Sequence, residues 1–175
     1  MRKLFHDLRR HCLPAVRAQN QWLQHPPSLP MESRSQPPTF WIHWLLAVAG
    51  GIVAFGMALV LAPGATRQAF SLLVYSAPEQ IDSFGTEQVR YISLAHAVIG
   101  GVMVGWGAAL YGITRALLAR GDRTGWNLVA LSVAAWFVPD TAYSLLSGYW
   151  QNALMNAVFL TLFAVPLLAT RGSTR

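Results

Sequence analysis

Four side chains in this sequence carry chemistry where their surroundings are apolar: His96, Asp140, Asn152 and Asn156. Asp140 is the only carboxyl group inside any of the long apolar runs. Insertion scales charge about 2.5–3.5 kcal/mol for an aspartate at the centre of a lipid-embedded helix, so such a group is either held by partners or used. Pro139 precedes it and leaves the carbonyl of Ala135 without its usual donor, which tends to bend a helix. Ser132, Trp136, Asp140 and Ser144 recur at every fourth position, with Tyr143 and Ser147 beside them, and so share one helical face. Asn152 and Asn156 share a face of the next apolar run in the same way.

Three chemistries are open to this set. Asp140 and His96 can pair, with the asparagines completing a buried hydrogen-bond network that fixes helix register. The same residues, with Trp136, Tyr143 and Ser144, can line a polar pocket for a small apolar ligand. They can also move a proton, Asp140 and His96 acting together on a bound substrate. A metal site is not expected, since one histidine and one carboxyl group on separate segments are too few ligands. No cofactor is expected either: phosphate loops, dinucleotide glycine patterns, HExxH and nucleophile elbows are all missing from the sequence. His43 falls in an aromatic cluster, while His6, His11, His25 and Cys12 are scattered along the first thirty residues without ligand spacing.

The elements that must position these groups are apolar runs. Hydrophobic residues make up 54% of the chain and charged residues 11%, against roughly 25% charged in soluble domains, which points to lipid as the solvent. Four runs, at about 41–62, 91–118, 125–147 and 150–169, are each long enough for a hydrocarbon core of about 30 Å. The expected fold is therefore all-α, a four-helix transmembrane bundle over residues 41–170. Residues 1–40 form a basic, proline-rich tail, read either as disordered or as an amphipathic anchor through Leu4, Phe5, Leu8 and Cys12. Met31 is an alternative start. The +6 charge does not imply nucleic acid, because the cations sit between the apolar runs.

Those cations predict an orientation. With the N-terminus inside, eleven of the thirteen basic residues fall on the inner side and only Arg67 and Arg90 on the outer. Both termini are then cytoplasmic, and the arginine-rich, alanine-rich composition suggests a bacterial inner membrane. Counting about 1.5 Å per residue from the outer ends puts His96 roughly 8 Å in and Asp140 and Asn156 roughly 10 Å in, and with Asn152 they are expected to share one depth in the outer half of the membrane. The long loop contains an amphipathic segment from Ala65 to Tyr75, expected to lie along the interface, and an acidic turn from Pro78 to Gly85. Ala97, Gly101, Gly105 and Ala109, again four apart, predict a smooth face for close helix packing, either against the first span or against a second copy.

The LAPGATRQAF exit from the first run, the His96–Gly101–Gly105 series and Asp140–Gly148 followed by Asn152 and Asn156 give residues 41–170 a layout that resembles the DoxX-like and related four-helix bacterial membrane proteins. The resemblance implies a compact bundle and transfers no catalytic residue. The expected function is binding of a lipid-like or quinone-like molecule in a polar pocket of the outer membrane half, or service as an accessory subunit. The alternatives are a membrane-embedded isomerase or oxidoreductase using Asp140 and His96, and a purely structural subunit docking a membrane partner.

Overall fold

The computed structural model describes residues 36–174, and the tail and its two readings lie largely outside them. Within that range the chain is helical and contains four helices long and apolar enough to cross a membrane. In chain order the helices are α1 (Thr39–Leu61), α2 (Pro63–Tyr75), α3 (Thr86–Ala116), α4 (Arg123–Leu146) and α5 (Trp150–Thr170). Helices α1, α3, α4 and α5 are the long ones, and α2 is the short amphipathic segment of the loop. A 3-10 turn over Pro78–Ser83 packs back against α2.

The principal seam joins α1 to α3. On α1 the buried positions are Ile42, Leu45, Ala49, Ile52, Gly56 and Leu59, spaced alternately by three and four. On α3 they include Gly100, Gly107, Leu110 and Thr114, in the same register. That spacing has a period of 3.5 residues, the repeat that keeps two helices in contact along their length. Glycine makes the approach possible. A methyl group added at Gly56 would lie 2.6 Å from the Gly100 carbonyl oxygen, and one at Gly107 would lie 2.9 Å from the Ala49 carbonyl oxygen.

The expected stripe of Ala97, Gly101, Gly105 and Ala109 lies off this seam. Gly101 and Gly105 are exposed, with nothing within 4 Å of an added Cβ; Ala109 is exposed and Ala97 half-buried. The reason is the period. A strict four-residue spacing drifts around the helix and leaves the line that a 3.5-residue seam follows.

Ile42, Leu45, Leu110, Leu118, Val129, Phe163 and Leu167 belong to one buried core. These positions come from the beginning of α1 and α4, the end of α3 and the turn that follows it, and the end of α5, so the core sits at the end of the bundle away from α2. Two tryptophans complete it by satisfying carbonyls the sequence leaves open. Pro166 has no N–H for the carbonyl of Leu162, and the Trp44 indole donates to that oxygen at 3.1 Å. The Trp126 indole donates at 2.7 Å to the carbonyl of Leu167, in the last turn of α5.

Between core and opposite end lies an aromatic layer. Trp106 on α3 stacks with Trp136 on α4, ring centroids 5.6 Å apart, and with Phe163 on α5 at 6.3 Å. The Trp106 indole donates to the Ser132 hydroxyl at 2.6 Å, tying α3 to α4.

The α4–α5 turn sets the register of the site. Gly148 has φ +81°, a left-handed conformation that glycine adopts without strain. The Tyr149 amide donates to the Ser144 carbonyl at 2.8 Å and the Gly148 amide to the Leu145 carbonyl at 3.2 Å, forming a Schellman closure. The chain therefore reverses about Gly148, and Asn152 returns beside Ser144.

Candidate functional site

Helix α3 is 31 residues long, about 46 Å at 1.5 Å per residue, and so exceeds a hydrocarbon core of about 30 Å. Its first turns reach up to α2, which runs across the end of the bundle and touches α1, α3 and α5. Beneath α2 lies a cavity of about 420 Å³, walled by α2, the 3-10 turn and the adjoining ends of α3, α4 and α5.

Each wall contributes a distinct chemistry. Arg67, Phe70, Ser71, Val74 and Tyr75 of α2 line the cavity from one helical face, at spacings of three and four. Ile92 and His96 come from α3, Asp140, Tyr143 and Ser144 from α4, Tyr149 from the turn and Asn152 from α5. Ile81 and Phe84 close the loop side.

Asp140 is held by a small network. Its Oδ1 accepts from the Asn152 amide at 3.0 Å and from the Ser144 hydroxyl at 3.4 Å. Asn152 also donates to Ser144 Oγ at 2.7 Å, and Ser144 donates to the Asp140 carbonyl at 2.7 Å. His96 is fixed differently. Its Nδ1 lies 2.7 Å from the Ile92 carbonyl, an acceptor only, so Nδ1 carries a proton and Nε2 is the ring nitrogen left to face the cavity. The Phe70 ring packs edge-on against it at 5.1 Å. His96 and Asp140 line the same space but make no bond to each other.

The structure thus brings together Asp140, His96, Asn152, Tyr143 and Ser144. It does not bring Asn156 or Trp136 to the cavity wall. Asn156 is 1% exposed and donates to the Thr141 hydroxyl at 3.2 Å, forming a separate α4–α5 clasp. Trp136 belongs to the aromatic layer, one turn nearer the core than Asp140. Equal depth does not imply a shared wall: the rotation of each helix decides which side chain meets the space.

Arg67 is the site residue that counting by depth misses. It lies outside the four apolar runs, where its charge reads as a topology signal. The signal that finds it is the periodicity of 67, 70, 71, 74 and 75, one face of α2. Its Nη1 donates to Ser93 Oγ at 2.6 Å, and Ser93 in turn donates to the Val89 carbonyl at 2.7 Å. Its Nε is buried and meets no acceptor among the described residues. Among those residues, no three His, Cys, Asp or Glu side chains gather as metal ligands would. The arrangement can hold a polar group by charge and hydrogen bonds, with aromatic rings along its open side. No protein-family model, curated protein or solved structure matches the chain.

Proposed function

We propose that this chain is a bacterial inner-membrane protein that binds the polar end of a lipid-like or quinone-like molecule beneath α2. The observation that carries the reading is the cavity of about 420 Å³ whose walls combine a guanidinium, an imidazole, a carboxyl group and several aromatic rings. Ligand pockets are typically concave, mostly apolar and marked by a few convergent polar groups. The basic residues support an orientation with both termini cytoplasmic, which turns α2 and the cavity toward the outer leaflet. An amphiphile can then enter sideways from lipid with its chain left between the helices.

The test is native mass spectrometry of the full chain extracted gently from its own membrane, beside Asp140→Asn and a cavity-filling Val74→Trp. A molecule that stays on the wild type, weakens in Asp140→Asn and is lost in Val74→Trp supports the site. An empty wild type, or equal retention in all three, overturns it.

A second reading has one observation in its favour. His96 and Asp140 line a single cavity without bonding to each other, so both remain available to a substrate as proton donor and acceptor. An isomerase or oxidoreductase of this kind loses turnover in His96→Gln while still retaining its ligand. A simple binding site shows no turnover to lose.

A further inference from the structure

Resting on the reading that the cavity holds an amphiphile, we propose that the head group is zwitterionic, with a phosphate held by Arg67 and an ammonium held near Asp140. Arg67 and Asp140 line one cavity and make no bond to each other. Arginine stays protonated in proteins, and an unpaired guanidinium in surroundings of low dielectric is costly. Among the described residues the one ion pair is Arg90–Glu87, at the surface, and it does not include Arg67.

The guanidinium is oriented, not loose. Ser93 takes Nη1 at 2.6 Å, and Nε is buried without an acceptor among the described residues. Nη2 has no acceptor among the described residues either, and it is the guanidinium nitrogen left for a charged oxygen entering the cavity. An uncharged carbonyl can accept from Nη2, whereas a phosphate diester accepts from it and also neutralises the charge.

The wall formed by α4 and α5 has the complementary chemistry. Asn152 bonds Oδ1 of Asp140, with the Ser144 hydroxyl 3.4 Å from the same oxygen, and Oδ2 receives no hydrogen bond from any described residue. Tyr143, Tyr149 and Phe84 line the same space, and aromatic faces attract ammonium groups. A phosphate joined to an ammonium by a two-carbon link offers both charges in one small group. A phosphoglycerol head would satisfy Arg67 alone, and a quinone would satisfy neither charge.

The experiment uses the full chain in detergent, delipidated and then offered an equimolar mixture of phosphatidylethanolamine, phosphatidylcholine, phosphatidylglycerol and a quinone, read by native mass spectrometry. Val74→Trp marks which binding depends on the cavity. The expected result is several-fold more of a zwitterionic lipid than of phosphatidylglycerol or quinone. Ethanolamine above choline identifies a primary ammonium donating to Asp140; choline at or above ethanolamine identifies enclosure by the rings. Asp140→Asn should bring phosphatidylethanolamine and phosphatidylglycerol to parity. Arg67→Gln should lower every phospholipid about ten-fold, with Arg67→Lys, which keeps the charge, retaining part of the binding and controlling for folding.

Cavity-dependent binding led by quinone or phosphatidylglycerol, unchanged in Arg67→Gln, overturns the zwitterion and leaves the amphiphile site standing. Absence of any cavity-dependent binding overturns both.

Discussion

Helix α3 meets different neighbours on two sides, and the two contacts are built on opposite plans. Toward α1 it presents Gly100 and Gly107, and the backbones come close enough that a single added methyl group would collide with a carbonyl. Toward α4 it presents Trp106, whose ring stacks on Trp136 and bonds Ser132. Large rings prop two helices apart where glycine lets them touch. Beyond that aromatic layer the polar cavity lies under α2. Lipid tails supply little hydrophobic drive between helices, so packing must come from fit, and here the fit is concentrated on one side of α3. The other side is left free to hold polar groups.

The largest effect should come from breaking the tight side. Gly56→Leu or Gly100→Leu must push backbone away from backbone, with a cost at or above the roughly 1–3 kcal/mol of an overpacked core. Thermal unfolding in detergent should show a clear drop, whereas the ligand readout at the cavity should fail only to the extent that the fold does. A melting curve unchanged from wild type would mean that the seam is not where stability resides.

The next effect belongs to the α4–α5 clasp, which lies outside both contacts of α3. Asn156→Ala leaves Thr141 without its donor and opens a small void, for an expected loss of about 1–2 kcal/mol. A double-mutant cycle with Thr141→Val should return a coupling of about 0.6–1.7 kcal/mol. Zero coupling would show that the 3.2 Å contact carries no energy of its own.

Smaller still is the bond between Trp44 and the carbonyl freed by Pro166. Trp44→Phe should cost about 0.5–1 kcal/mol in the parent and much less in a Pro166→Ala background, where the helix supplies its own donor. Equal losses in both backgrounds would assign the effect to ring packing instead.

The smallest effect sharpens the comparison by contrast. Gly101→Leu and Gly105→Leu point into open space and should shift monomer stability by no more than about 0.5 kcal/mol. If either variant melts like the wild type yet loses a dimer in size-exclusion chromatography, the outward stripe serves a second copy of the chain. If neither property changes, the stripe simply faces lipid.

Much of this is legible in the residues alone. Pro166 announces a carbonyl in need of a donor, Gly148 permits a tight reversal, and Asp140 marks the polar end. The seam was harder to read, because glycines spaced by four catch the eye while the operative spacing alternates three and four. Arg67 was harder again. A charge between apolar runs looks like a topology signal until the helix carrying it is seen to lie across a cavity.

The sequence by itself determined that there are four apolar helices, a short amphipathic one between the first two, and a few polar residues that lipid would not tolerate unaided. Those are local properties, set by run length, periodicity and the solvation of each side chain. Only the tertiary structure decided that Gly100 meets Gly56 while Gly101 faces outward, that Asn156 clasps Thr141 while Asn152 joins Asp140, and that Arg67 shares a cavity with both Asp140 and His96. Each of those outcomes depends on how far one helix is rotated about its axis relative to the next. A rotation of about 100° separates neighbouring residues on a helix, and that angle is set by the whole packed bundle rather than by any one segment of chain.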